Sequence, residues 1–222
     1  MNLCLFDLDD TLLPLDSDKA WCDFVVALGW VDGPAFQQQS EAFYAQYKAK
    51  CLDVHAYIAF VTEPLRARSS DELQAAHARF MAEVINPQVR PAALDLVRLH
   101  QEQGDDVALV TATNDFVTGP IAKALGVDHL LAVRLERASD GSLTGRIDGV
   151  PTYREGKVTR VGQWLAARGR HWAEFERVTV YSDSANDLPL LEKATHPVAT
   201  NPTPELEAIA LARGWKTLKL FA

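Results

Sequence analysis

A chain of 222 residues, 48% hydrophobic and 23% charged, has the length and balance of a globular α/β protein that carries a smaller inserted unit. At this length folding buries roughly 70% of the surface of the extended chain, so neither disulfides nor a structural metal is required. The net charge of −8 argues against nucleic acid or an anionic membrane as the main partner, because both demand a basic face.

In chain order, Met1-Asn2-Leu3-Cys4-Leu5-Phe6-Asp7 lacks the basic region and long apolar stretch of an export signal, and the uncharged stretch at 24–31 is too short to span a bilayer. Leu3–Phe6 reads as a buried strand that runs into Asp7-Leu8-Asp9-Asp10-Thr11-Leu12. From about Leu15 to Ile85 there is no strand pattern. Helical patterns fill Lys19–Leu28, Pro34–Ala49, Val54–Ala67 and Asp71–Val84, with start signals at Gly33-Pro34 and at Ser69-Ser70 before Asp71-Glu72. Beyond this insertion the apolar runs alternate again. A helix at Ala92–Gln103 precedes a strand at Val107–Val110 that ends in Thr111-Ala112-Thr113-Asn114, then a helix at Pro120–Leu125 and a strand at Leu130–Val133. Asp140-Gly141 between short segments marks a hairpin within 134–147. A helix at Val158–Arg168, with Lys157 in its first turn, leads to a strand at Val178–Tyr181 that runs into Ser182-Asp183-Ser184-Ala185-Asn186-Asp187. A helix at Leu188–Lys193, a strand at Pro197–Thr200, a helix at Pro204–Ala212 and an edge strand at Lys216–Leu220 complete the series. Short apolar strands alternating with amphipathic helices predict a parallel sheet flanked by helices.

Three strands thus end in polar clusters, and in an open α/β sheet such ends converge on one crevice. Asp7, Asp9 and Asp183 would crowd carboxylates there and call for a cation; hard oxygen donors of this kind suit Mg²⁺. Lys157, in a helical first turn where a cation is unfavourable unless an anion lies nearby, and Thr111 with its backbone can hold phosphate oxygens. A carboxylate attacking phosphorus gives an acyl phosphate, and a second carboxyl protonates the leaving oxygen and then activates water.

These clusters resemble, in order, the four motifs of the haloacid dehalogenase superfamily of phosphohydrolases. Asp7-Leu8-Asp9-Asp10-Thr11 matches Asp-x-Asp-x-Thr, which implies Asp7 as nucleophile and Asp9 as general acid/base, with Thr11 supporting. Thr111, with Ala112 beside it, matches the phosphate-binding strand end, and Lys157 the helix-borne lysine. Asp183-Ser184-Ala185-Asn186-Asp187 matches the acidic motif, giving Asp183 to the metal with Asn186 and Asp187 in support. The implied ligands of Mg²⁺ are Asp7, Asp183 and the backbone carbonyl of Asp9. Ser182 and Ser184 stand where related phosphoserine phosphatases carry glycine. The implied architecture is a Rossmann-like core of residues 1–13 and 89–222 with a helical cap at 14–88.

The placement of the insertion and hairpin resembles the phosphoserine-phosphatase-like branch, which also holds histidinol-phosphate phosphatases. By that resemblance Asp16 would contact a substrate ammonium group, while Trp21 and Tyr47 are candidates to line the substrate cavity. The stretch 43–50 offers Lys48 and Lys50 but no arginine for a substrate carboxylate, and Leu12–Trp21 looks more like the histidinol-phosphate members. The expected substrate is a small phosphorylated metabolite: histidinol phosphate or a similar amino-alcohol phosphate first, phosphoserine second. A non-catalytic phosphate sensor and a phosphotransferase are competing readings; retention of both Asp7 and Asp9 speaks against the sensor. Cys4, Cys22 and Cys51, odd in number and without ligand spacing, read as reduced thiols of a cytoplasmic protein.

Overall fold

The structure is a computed structural model and describes residues 1–221. Six parallel strands form the central sheet: β1 (Asn2–Phe6), β2 (Asp106–Asn114), β3 (Leu130–Val133), β6 (Arg177–Ser182), β7 (His196–Thr200) and β8 (Lys216–Leu218), in the order β3-β2-β1-β6-β7-β8. The chain winds outward from β1 through β2 to β3 and then returns to β6 on the other side. The strand order therefore reverses beside β1, and the carboxyl end of such a switch point is where an open sheet leaves a crevice.

Both faces of the sheet are covered, which is why its strands read as nearly unbroken apolar runs. Cys4 and Phe6 of β1 pack into a cluster with Ala93 and Val97 of α5 (Pro91–Glu102) and Val117 and Ile121 of α6 (Asp115–Ala124). The alternate residues Leu3 and Leu5 pack the other way. They meet Val161 and Leu165 of α7 (Glu155–Ala167), Leu190 and Leu191 of α8 (Leu188–Leu191), and Leu206 and Ala210 of α9 (Pro204–Arg213). A separate antiparallel hairpin joins β4 (Leu135–Arg137) to β5 (Leu143–Ile147) around Gly141, whose φ of 84° suits the turn.

Between β1 and α5 lies the inserted helical cap: α1 (Ser17–Ala27), α2 (Gly33–Lys48), α3 (Val54–Arg66) and α4 (Ser70–Phe80). Three of its helices carry side-chain caps, of which the sequence signalled that at Ser69. Asp16 accepts from the backbone of Asp18 and Lys19, Asp53 from Ala56, and Ser69 with Glu72 forms a reciprocal capping box. The cap shares its apolar interior with one face of the sheet: Trp21, Val25, Ile58 and Phe80 belong to the cluster that holds Phe6 and Leu109. After α4 the backbone passes into one π turn, Met81–Ile85, a wider winding that the predicted helix 71–84 did not anticipate.

Other boundaries also shift. β2 runs on through Asn114, beyond the apolar run that predicted it, and α6 begins at Asp115 with Pro120 inside rather than at its start. The edge strand β8 ends at Leu218, short of the expected Leu220. The three cysteines are unpaired, Cys4 and Cys22 buried and Cys51 exposed. Among the described residues no helix is long and apolar enough to cross a membrane.

Candidate active site

At the carboxyl end of β1 the Asp7 N–H still pairs with the Tyr181 carbonyl at 2.9 Å, so the sheet's register fixes the backbone of Asp7. The chain then folds into a compact loop in which the N–H groups of Thr11, Leu12 and Leu13 all point back to the Leu8 carbonyl. Asp10 takes a left-handed conformation there, φ 55°, and is exposed at the cavity's edge. The loop is tied from the far side by Asn201, just past β7, whose amide donates to the carbonyls of Asp10 (3.0 Å) and Thr11 (3.3 Å).

The loop presents Asp7 and Asp9 in different surroundings. Lys157 Nζ donates to one oxygen of Asp7 at 2.8 Å, and the Thr11 hydroxyl lies 3.2 Å from the other. Thr11, fully buried, also receives the N–H of Asp183 at 3.1 Å and sits 3.4 Å from its carboxylate, so it stitches the first strand end to that of β6. Asp9 turns away: it accepts the Ser17 N–H and the Thr113 hydroxyl, each at 2.8 Å. Burial, reinforced by Asp16 and Asp7, holds the Asp9 carboxyl well above the usual carboxylate range. The two aspartates are thus differentiated: one beside an ammonium, one buried among carboxylates in a setting that favours the protonated acid.

Lys157 is 2% exposed and lies between Asp7 and Asp187, 2.7 Å from the latter. Burial opposes its charge, yet the two carboxylates outweigh that and raise its pKa. Its placement depends on local backbone. Arg154 adopts φ 51°, and a Cβ on Gly156 would lie 2.0 Å from the Pro151 carbonyl oxygen, so the first turn of α7 admits only glycine at that position. Asp187 also accepts the Ser182 hydroxyl at 2.8 Å. Asn186 donates to the Tyr47 carbonyl at 3.3 Å, while its own buried carbonyl oxygen has no partner.

Asp183 is buried near Asp7 and Asp187, and burial together with these neighbours raises its pKa strongly. Such a cluster is short of positive charge. Among the described residues no group of three or more His, Cys, Asp and Glu side chains forms a metal-holding cluster. Two carboxylates, Asp7 and Asp183, face the same cavity. That sparse, hard set fits a cation such as Mg²⁺, which keeps several waters and completes its shell with phosphate oxygen.

A cavity of about 350 Å³ opens above these groups. Thr111, Ala112 and Thr113 from β2 form one wall, with Thr111 Oγ1 accepting the Thr113 N–H at 3.1 Å. Asp16, Asp18, Glu41, Tyr47 and Tyr57 come from the cap. Asp16 caps α1 and lines the cavity at the same time. Tyr47 lines it too, but Trp21 does not. The indole is 1% exposed and packs edge-on to Phe80 (centroids 5.0 Å) and Phe116 (5.3 Å) and stacked with His77 (5.6 Å), because its position on α1 faces α4 and α6 rather than the crevice. Trp21 is therefore core, a correction to its assignment as a cavity residue. Asn201 escaped the reading of the sequence, which marked the cluster holding Thr113 but gave no role to Thr113 or to Gly156. The strand-end rule that marked three clusters applies equally to Thr200-Asn201 and would have found Asn201.

Comparison with known proteins places this geometry. The family model for haloacid dehalogenase-like hydrolases matches residues 4–192, and the chain belongs to that family. It is 42% identical over 217 residues to a histidinol-phosphatase from Neisseria meningitidis serogroup C (strain 8013), covering 98% of both chains. It is 33% identical to the phosphoserine phosphatase SerB1 of Mycobacterium tuberculosis (strain ATCC 25618 / H37Rv), covering 95% of this chain and 68% of that one. A crystal structure of a protein of unknown function from Bordetella pertussis Tohama I superimposes with a TM-score of 0.93 at 48% identity, over 99% of both chains. A substrate-bound phosphoserine phosphatase shares the fold with a TM-score of 0.67 at 19% identity, over 97% of this chain and 91% of that one. Within its family the protein is an enzyme of the phosphatase class.

Proposed function

We propose that the protein is a Mg²⁺-dependent phosphomonoester hydrolase that carries the phosphoryl group on Asp7, with histidinol phosphate or a similar amino-alcohol phosphate as substrate. The observation that carries the substrate assignment is the charge of the cavity beyond the nucleophile. Asp16, Asp18, Glu41 and Glu205 line it together with Lys19, Lys48 and Lys50, of which Lys19 is paired with Asp23 and Lys50 with Glu205, and among the described residues no arginine does. A cationic leaving group is attracted there, and a carboxylate-bearing one is repelled. The 42% identity to a histidinol-phosphatase supports the same reading. Phosphoserine hydrolysis comes second, supported by the 33% identical SerB1 but opposed by that charge pattern.

In the mechanism, Lys157 and Thr11 each hold one oxygen of Asp7 and so aim the carboxylate before substrate arrives. Asp7 attacks phosphorus while Asp9, kept protonated by burial, gives its proton to the departing alkoxide. The resulting acyl phosphate is opened by water, from which Asp9 takes the proton back. Thr113 suits both states of Asp9, since its hydroxyl can donate to the carboxylate and accept from the acid. Lys157, Thr111 and the backbone of Ala112 bind phosphate oxygens, while Asn186 and Asp187 brace the lysine and the β6 loop. Asp7, Asp183 and the Asp9 carbonyl would hold Mg²⁺, which when bound would neutralise charge on the phosphate. Residues 14–88 act as the cap that screens the crevice from water and selects the leaving group through Asp16 and Tyr47. The three unpaired cysteines fit a cytoplasmic setting.

A screen of phosphorylated metabolites with Mg²⁺, reported as kcat/KM, tests the proposal. Histidinol phosphate should lead phosphoserine. A lead for phosphoserine would reverse the substrate order, and full turnover after exhaustive chelation would remove the metal from the scheme.

A further inference from the structure

Three lysines border the cavity, and they are not equivalent. Lys19 is half-exposed and paired with Asp23 at 3.0 Å on α1. Lys48 is exposed and lies over the Tyr44 ring, 4.6 Å from its centroid, at the solvent-exposed rim of the cavity that both residues line. Lys50 is half-buried, just past the end of α2, and is held by its backbone: φ is 61°, and the Arg154 guanidinium donates to its carbonyl at 3.0 Å. Of the three it is the least exposed to solvent.

Its ammonium is already taken. Lys50 Nζ forms an ion pair with Glu205, which also lines the cavity. Glu205 belongs to the first turn of α9, behind the Thr203 cap, where the positive end of the helix favours an ionised carboxylate. A substrate carboxylate reaching toward Lys50 would find a cation with a fixed partner and would face that partner's charge as well. Both effects act against an acidic leaving group, and neither touches a leaving group that carries only an amine.

We infer that Glu205 is a specificity-determining residue that withdraws Lys50 from the substrate and thereby discriminates against carboxylate-bearing phosphomonoesters. Glu205 acts through Lys50, from the catalytic core rather than the cap. The inference rests on the phosphomonoesterase reading and deepens it, because it explains how a cavity with lysines on its border can still refuse a carboxylate.

The test compares O-phosphoserine with O-phosphoethanolamine, which differ by the carboxylate alone, and takes the ratio of their kcat/KM values. Where one is too poor a substrate, its Ki against p-nitrophenyl phosphate replaces kcat/KM. Glu205→Gln should raise the phosphoserine-to-phosphoethanolamine ratio roughly fivefold, the size of one partly exposed charge contact, through KM rather than kcat. Glu205→Asp, which keeps the charge, should leave the ratio near that of the wild type. The double variant Lys50→Gln/Glu205→Gln should lose the gain, because the freed ammonium is what binds the carboxylate. An unchanged ratio in Glu205→Gln, or a gain that survives in the double variant, overturns the inference while turnover of p-nitrophenyl phosphate leaves the phosphatase reading standing. A wild type inactive on every phosphomonoester tested would fell that reading and this inference with it.

Discussion

Lys157 is the group on which the electrostatics of the site turn, and Lys157→Met tests that directly. Methionine fills similar space without charge, so the change isolates the ammonium. In the wild type it sits 2.8 Å from Asp7 and 2.7 Å from Asp187, almost wholly out of solvent. Its removal leaves two buried carboxylates with no counter-charge, and breaking a buried pair in this way costs about 3–5 kcal/mol. At ~2–4 °C per kcal/mol for a protein of this size, Tm should fall by roughly 6–20 °C. The loss should depend on pH. Burial already raises the pKa of Asp187, with Lys157 pulling it down; without the lysine it climbs further. An acid whose folded pKa lies above its unfolded value loses stability as pH rises between the two. The deficit should therefore be larger at pH 8 and shrink toward pH 5. Asp187→Asn in the same background should return part of it, with a coupling of ~1–3 kcal/mol. Thermal unfolding followed by circular dichroism, with chelator and without phosphate, measures all three variants. A Tm within about 2 °C of wild type at pH 8, less than one kcal/mol at this size, or a larger loss at pH 5 than at pH 8, would refute the reasoning.

Thr113→Val removes the hydroxyl bonded to Asp9 at 2.8 Å and should lower kcat roughly tenfold for an alkyl phosphate but less for an aryl phosphate, whose leaving group needs little protonation. Equal losses on the two substrates would place Thr113 in folding rather than in proton transfer. Burial first, and Asp16 second, push the Asp18 carboxyl up to about 7. Ionising it thus costs stability as pH rises from the ordinary carboxylate value to about 7, and Asp18→Asn should be more stable than wild type at pH 8 by ~1–4 kcal/mol but not at pH 4. The same difference at both pH values would show that titration of Asp18 is not its source. Excess Ca²⁺ should inhibit turnover supported by Mg²⁺, since calcium takes more ligands at longer distances than the sparse set at Asp7 and Asp183 offers; activation by Ca²⁺ would contradict that donor set.

Much of this fold is legible in the sequence because the strands are buried on both faces. Leu3–Phe6, Val178–Tyr181 and Leu130–Val133 stand out as apolar runs, and the polar ends of the first two mark the crevice. The same logic hides the end of β2. Thr111–Asn114 remain in the strand, but their side chains serve the site, so the apolar pattern stops at Val110 while the backbone pairing does not. Pro120 reads as a helix start, yet α6 opens earlier because Asn114 caps it by accepting the Val117 N–H at 3.1 Å. Trp21 is a matter of helix phase. Sequence says that α1 has an apolar face, but only packing shows that the indole faces His77 and Phe80. Lys50 and Glu205 are 155 residues apart, and no local pattern connects them.

The central claim is that phosphate passes through Asp7, with Asp9 as its proton donor and later its base. The most direct measurement is mass spectrometry of Asp9→Asn, quenched rapidly after mixing with an aryl phosphate. The good leaving group lets Asp7 attack without an acid, and the missing base slows hydrolysis by ~10²–10⁴-fold, so the intermediate should accumulate. The account predicts one phosphoryl group on Asp7, absent when Asp7→Asn is added. A phosphoryl group on any other residue, or multiple turnover by Asp7→Asn, would contradict it.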